Sequence, residues 1–433
     1  MINALGLLKQ RRFLPLFTTQ FLGAFNDNLF KTSMVLFATY SIFQDPAVES
    51  NFNALATGIS TLPFFLLSAL SGQLADTSDK ARIIRIVKVA EVLIMMVGAA
   101  GLVAARSGRT NLGLGLMLGA VLLLGVHSTF FGPIKYAILP QHLEGDQVLG
   151  GTGLVEAGTY LAILSGTVVA GLLAQYDYWW TIGGTLAVAL VGLYTGTRVP
   201  PAPRLGPRLR LDYNPFTASW RLIRDTMHIR RLFLAICAIS FFWTIGAVLI
   251  IIFPPLVKNV LTADERVASA TIAIFSIGVA IGSVVINTML KSDISARYSP
   301  ASVIGMGVLV ALFSLLARRW TPAPAGELYG WAEFLAQPLV MPILGVLLLI
   351  ATTGGMFVVP LYAFLTTTVE KDQTARTVAA NNVVNSGAMT VGSVVVIGLV
   401  SGLKVSPENM LMVVSGMCVV AAWLAHKLHR ACD

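Results

Sequence analysis

Apolar residues in this chain neither alternate nor recur on a single face. They run on for about 20 residues at a time, the length that crosses a bilayer core as a helix. Such runs fall near residues 13–42, 52–74, 83–105, 110–131, 149–174 and 178–199, then near 231–257, 266–290, 301–317, 338–366, 377–402 and 407–428. Glycine, proline or charged residues bound them. The pattern predicts an all-α membrane protein with twelve transmembrane helices in two bundles of six. The one long polar interruption divides it into an N-terminal bundle at 1–199, a basic cytoplasmic linker at 200–230 and a C-terminal bundle at 231–433. The first run follows Lys9, Arg11 and Arg12. It is too long for a signal-peptide core and no small-residue cleavage site follows, so it is expected to remain as a helix.

Charge then sets the orientation. The N-terminus, the loops near 75–88, 132–148, 198–231, 291–299 and 370–376, and the C-terminus hold 22 of the 30 lysines and arginines, while the opposite loops hold seven. The positive-inside rule places both termini in the cytoplasm. With 56% apolar and 12% charged residues, a water-soluble fold is excluded, and the net charge of +9 belongs to topology rather than to nucleic-acid binding. Cys237 and Cys418 lie inside apolar runs and Cys432 beside the C-terminus, which offers neither a disulfide framework nor a paired-cysteine metal site. In the linker, Trp220 to Arg231 reads either as an amphipathic surface helix or as a solvated loop.

The two halves repeat. Pro133-Ile134-Lys135-Tyr136-Ala137-Ile138-Leu139 recurs as Pro360-Leu361-Tyr362-Ala363-Phe364-Leu365 at the same place in the second set, and Arg12-Phe13-Leu14 is echoed by Arg231-Leu232-Phe233-Leu234. Gln20 and Ser240 then fall at equivalent depth. Duplicated halves related by an axis along the membrane normal are a transporter architecture, with the substrate near mid-membrane.

Candidate chemistry concentrates in the first helix, where Gln20, Asn26, Asp27, Asn28 and Lys31 interrupt an apolar span. At 1.5 Å per residue from Phe13, Asp27 lies roughly 21 Å into a core about 30 Å thick, and a carboxylate there must face the protein interior. Asp27 and Lys31 share a face four residues apart and can pair. A second charged set comprises Lys88 with Glu91 on the third helix, Lys135 with Tyr136, and Glu156 on the fifth. In the second half the candidates are uncharged: Asn381, Asn382 and Asn385, Trp243 and Thr244, and Asn287.

The loop from Gly72 through Asp76 to Lys80 and Arg82 resembles the signature between helices two and three of the major facilitator superfamily, with Thr77 and Asp79 departing from its usual Arg and Gly. That resemblance implies a conformational latch of Gly72, Asp76, Lys80 and Arg82 on the cytoplasmic side. Together with the first helix, the Phe131 to Gln141 segment and the Glu156 segment, it resembles the lysophospholipid transporter branch of that superfamily. The branch implies movement of lysophospholipids, chiefly lysophosphatidylethanolamine and lysophosphatidylglycerol, from the periplasmic to the cytoplasmic leaflet of a bacterial inner membrane. An acyltransferase and an acyl-carrier-protein synthetase re-acylate the product, and with the chain ending at Asp433 these are expected to be separate partners. On this reading Lys31 meets the phosphate and Asp27 the amine.

Two rivals stay open. Efflux of drugs or small amphiphiles suits the same architecture, although helix five carries Gly158, Gly166 and Gly171 without the Gly-Pro signature of drug antiporters. A membrane-embedded acyltransferase is remoter: among His127, His142, His228, His426 and His429, none is followed by an aspartate at the usual spacing, His142 with Asp146 coming nearest. No Gly-Lys-Ser/Thr phosphate loop occurs, so nucleotide-driven transport is disfavoured. No enzyme activity, cofactor or metal is expected.

Overall fold

The computed structural model describes residues 4–204, 214–290, 295–367 and 374–432; some side chains within these segments, Asp76, Glu156 and Asn287 among them, lie outside the description. The described residues are almost entirely helical. Twelve long helices follow one another: α1 Leu14–Phe37, α2 Pro46–Thr77, α3 Lys80–Arg106, α4 Thr110–Ala137, α5 Gly145–Leu173, α6 Tyr178–Thr197, α7 Arg230–Asn259, α8 Glu265–Leu290, α9 Ser299–Ala317, α10 Val340–Thr367, α11 Thr374–Leu403 and α12 Pro407–Cys432. Among the described residues, nine are long and uniformly apolar enough to cross a membrane.

Local chemistry explains the boundaries. Asp79 caps α3 by accepting from the Ala81 amide at 2.9 Å, and Asp177 caps α6 by accepting from the Trp179 amide at 3.1 Å. The linker contains a helix at Pro215–Met227, started by Asn214, whose Oδ1 accepts from the amides of Phe216 and Thr217, with Pro215 in the first turn. Its Phe216 and Trp220 stand exposed beside Arg221 and Arg224. Of the two readings of this segment, the helix is the one observed.

The helices are apolar on the outside. α3 buries Lys88 and Glu91 while exposing Ile86, Val89, Leu93 and Met96. Val284 on α8, Val308 on α9 and Val419 on α12 likewise face outward. A charge-in, hydrocarbon-out distribution is stable only in lipid. This is a multi-pass membrane protein.

The chain forms two compact units: residues 1–34 with 66–218, and residues 35–65 with 219–433. The hairpin formed by the end of α1 and the first half of α2 thus packs with the second unit. In the first unit α3 lies along α4 and α6; in the second, α7 is buried along most of its length among α8, α10, α11 and α12.

Prolines within helices free backbone carbonyls, which lipid cannot satisfy. Pro133 in α4 frees the carbonyl of Thr129, and the Ser71 hydroxyl of α2 donates to it at 2.8 Å. Pro255 in α7 frees the carbonyl of Ile251, and Asn53 Nδ2 donates to that one at 3.3 Å. Pro360 in α10 repeats the position of Pro133, and there Ser299 of α9 donates to the neighbouring carbonyl of Phe357 at 3.3 Å.

Ser71→Ala should therefore destabilise the protein by about 1 kcal/mol, the cost of one orphaned buried carbonyl. Adding Pro133→Ala should restore most of that loss, because the new backbone amide reaches Thr129. Thermal unfolding of the detergent-solubilised single and double variants measures the coupling, and purely additive losses would refute it.

Candidate functional site

In the first unit the polar face of α1 meets α3 and α4. Lys88 Nζ of α3 lies 2.5 Å from Glu91 Oε2, both side chains wholly enclosed. Glu91 Oε1 accepts from Asn26 Nδ2 at 3.0 Å, and Glu91 Oε2 lies 3.3 Å from His127 Nε2 of α4. The next residue, Ser128, donates to Asp27 Oδ2 at 2.5 Å, and its hydroxyl is 3.4 Å from His127 Nδ1. Lys31 stands one turn beyond Asp27, within the field of its carboxylate. Five ionisable groups on three helices thus share one interior cluster.

Small neighbours make the cluster possible. A Cβ at Gly23 would come 2.7 Å from Lys88 Nζ, so glycine on α1 leaves the channel through which the lysine reaches Glu91. The Lys88 ammonium also lies 5.4 Å from the Phe131 ring centroid, and His127 stacks on the same ring. Removing one partner of a buried ion pair costs about 3–5 kcal/mol, so neither charge is replaceable alone. Among the described residues, Asn26 Oδ1 and Asp27 Oδ1 are buried without a hydrogen-bond partner. His127 Nε2 is likewise without one, its 3.3 Å approach to Glu91 falling outside hydrogen-bond geometry.

Lys88 and Glu91 thus join the α1 residues rather than Lys135. Lys135 Nζ instead donates to Thr159 Oγ1 at 3.2 Å, and that hydroxyl lies 2.9 Å from Gln20 Oε1. Lys135 Nζ also sits 5.0 Å from the Tyr136 ring centroid. Asn28 turns to its own helix, donating to the Ala24 carbonyl at 2.8 Å. The side chain of Glu156 lies outside the described residues. Sequence reasoning passed over His127 because it tested histidines only for acyltransferase spacing; its depth in the fourth apolar run was the available signal.

The second unit holds an uncharged counterpart. Trp243 Nε1 donates to Tyr362 Oη at 2.7 Å, Asn381 and Asn385 place Nδ2 at 3.5 and 3.4 Å from the same oxygen, and Ser240 donates to Asn385 Oδ1 at 2.7 Å. Asn382 is exposed, and the Thr244 hydroxyl returns to the Ser240 carbonyl. Tyr362, the hub, was visible only as the repeat partner of Tyr136. A charged pair also went unread: Lys258 Nζ donates to Glu49 Oε1 at 2.6 Å and to the carbonyls of Thr39 and Phe43, while Asn259 holds the other Glu49 oxygen.

In the signature loop Gly72 is half-buried, Lys80 is buried, Arg82 is exposed, and the Asp76 side chain lies outside the described residues. Asp79, where the family signature has glycine, ties the loop down: its Oδ1 accepts from the amides of Ala81 and Ala202, and the Lys80 amide donates to the Ala202 carbonyl at 3.1 Å. His142 packs on the same segment with Nε2 3.4 Å from the Pro201 carbonyl.

A family model described as Major Facilitator Superfamily matches residues 16–393. A Lysophospholipid transporter LplT of Cronobacter sakazakii is 26% identical over 388 residues, covering 88% of this chain and 85% of that protein. One of the same name from Salmonella newport is 28% identical over 369 residues, covering 81% and 78%. Among solved structures, a D-xylose-proton symporter superposes with a TM-score of 0.69 at 12% identity over 96% of this chain and 98% of the other. A bacterial homologue of the human lysosomal transporter Spinster gives 0.69 at 14% identity over 98% of both. These likenesses are of fold.

Burial holds the His142 imidazole below its ordinary pKa; the carbonyls of Pro201 and Pro200 oppose this and the charge of Arg12 reinforces it. The folded state therefore favours the neutral ring. Its contribution is complete above the unfolded value near 6.5 and is lost as pH falls through the depressed folded value. Between pH 7.5 and pH 5.5 the thermal midpoint should fall further for the native protein than for His142→Gln, and equal falls would remove His142 from the account.

Proposed function

The chain belongs to the major facilitator superfamily, and on that premise we propose that it is a lysophospholipid transporter of a bacterial inner membrane, with both termini cytoplasmic. The observation that carries this reading is the polar face of α1, where Asp27 and Lys31 stand one turn apart on a span that is otherwise apolar. A lysophosphatidylethanolamine headgroup presents an amine and a phosphate in sequence, and its single tail needs only hydrocarbon. Asp27 Oδ1, buried and without a hydrogen-bond partner among the described residues, is the acceptor for the amine. Lys31 takes the phosphate. The names and coverage of the Cronobacter and Salmonella relatives support the substrate class.

The neighbouring residues take supporting places. Gln20 and Lys135, bridged by Thr159, extend the polar path along α1, with Tyr136 under the lysine and Glu156 on α5. Asn26, Lys88 and Glu91 set the position of Asp27, while Asn28 borders it. In the C-terminal half, Asn381 and Asn385 offer uncharged contacts around Tyr362. Transport runs from the periplasmic to the cytoplasmic leaflet by alternating access of the 1–199 and 231–433 halves, and Gly72, Asp76, Lys80 and Arg82 form the cytoplasmic latch. Re-acylation by a separate acyltransferase and acyl-carrier-protein synthetase consumes the product, so the chain itself performs no covalent chemistry.

Proteoliposomes containing the purified protein should move labelled lysophosphatidylethanolamine saturably to the inner leaflet, and Asp27→Asn should lower the rate at least about tenfold, equivalent to about 1.4 kcal/mol. No movement above empty vesicles would overturn the lipid reading in favour of amphiphile efflux. Normal movement by a well-folded Asp27→Asn variant would overturn the role of Asp27 alone.

A further inference from the structure

The interior cluster contains one group that headgroup binding does not use. We propose that His127 binds a proton that competes with an amine-bearing headgroup for Asp27, so that the protonation state of His127 sets the affinity for the substrate. This rests on the lysophospholipid reading above and adds a controlling residue to the same site.

The geometry carries the argument. Both imidazole nitrogens of His127 face oxygen: Nε2 lies 3.3 Å from Glu91 Oε2, and Nδ1 lies 3.4 Å from Ser128 Oγ. The Ser128 proton is given to Asp27 at 2.5 Å, so the hydroxyl turns a lone pair towards Nδ1. An imidazolium fits that arrangement, donating from Nδ1 to the Ser128 hydroxyl and placing its charge beside the Glu91 carboxylate, which Nε2 approaches without hydrogen-bond geometry. When one proton leaves, Nδ1 becomes an acceptor and the Ser128 hydroxyl swings to it. The carboxylate of Asp27 then loses its hydrogen bond from Ser128, and both of its oxygens are open to an ammonium group.

Charge works in the same direction. The groups facing His127 are Glu91 and Lys88 on α3 and Asp27 with Lys31 on α1; α6 presents Gly192 and Gly196 to Lys88. Two lysines and two carboxylates balance. His127 is the member that can gain or lose a proton without leaving an unpaired lysine or carboxylate in the membrane. An ammonium arriving at Asp27 adds a cation where an imidazolium already stands, and one of the two leaves. Proton and amine exclude each other. A glycerol headgroup brings no cation and escapes this competition.

The test measures binding of lysophosphatidylethanolamine and lysophosphatidylglycerol to the purified full-length protein from pH 8 to pH 5.5, with proton release on binding followed by an indicator dye. Affinity for the ethanolamine lipid should fall with acidity, by up to about tenfold per pH unit for one linked proton, with a matching proton release. The glycerol lipid should show a much smaller dependence. His127→Gln should bind the ethanolamine lipid with a flat pH profile and no proton release. Where that variant does not fold, Ser128→Ala serves, since it keeps the imidazole but cuts its link to Asp27, and its pH slope should flatten. The same slope in a folded variant as in the native protein, or equal slopes for the two lipids, would overturn the proposal. Absence of binding by the native protein at every pH would instead overturn the lipid reading on which it rests.

Discussion

A helix in a bilayer has no water to satisfy a polar atom, and this constraint governs the rest of the structure. Every donor and acceptor placed in the apolar spans must find its partner within the chain. Ser71 reaches the carbonyl that Pro133 sets free, and Asn53 reaches the one set free by Pro255. Lys258 divides its three donors among Glu49 and the carbonyls of Thr39 and Phe43. Lys88 can sit with no exposure at all because Glu91 meets it, Phe131 covers it and glycine on α1 gives it room.

Because satisfaction is the rule, departures from it are informative. Among the described residues, the buried side-chain atoms without a hydrogen-bond partner include Gln20 Nε2, Asn26 Oδ1, Asp27 Oδ1 and Ser33 Oγ on α1, His127 Nε2 on α4, and Thr39 Oγ1, Asn53 Oδ1 and Asn381 Oδ1 in the second unit. Asn26 Oδ1 and Asp27 Oδ1 lie next to the bonded groups of Glu91 and Lys88. A carbonyl and a carboxylate oxygen left open beside such a network stand ready for a donor from outside the chain. In the Glu49 and Lys258 corner both carboxylate oxygens are bonded, and the atom left open there is the Thr39 hydroxyl rather than a carboxylate oxygen.

The apolar runs and loop charges made the twelve helices legible, because length and hydropathy alone decide which segments can cross a bilayer. The polar face of α1 was legible for the same reason: a carboxylate deep in an apolar run cannot be accidental at about 3 kcal/mol. Partnerships across helices were not. Whether Lys88 meets Asn26 or Lys135 depends on helix rotation, and the sequence grouped it with Lys135. His127 was within reach, since its depth in the fourth run carried the same signal as Asp27. The Asp79 cap was hidden because the residue reads as a departure from a family signature, while its contact, Ala202, is 123 positions away.

The duplication supplies an internal control for which features belong to the fold. The proline inside α4 and the proline inside α10 occupy repeated positions, and each has a serine from a neighbouring helix close by, on the freed carbonyl in α4 and on the next one along in α10. The charges are not shared. At the depth of Gln20 the second half has Ser240, bonded to Asn385, and around Tyr362 it gathers amides and an indole without a carboxylate or ammonium. The second unit's buried charged pair, Lys258 with Glu49, is separate from these uncharged contacts. Asp27, Lys31, Lys88, Glu91 and His127 stand where the second unit has two amides, an indole and a tyrosine, and the cost of five ionisable groups inside a membrane is what makes this cluster the candidate for binding.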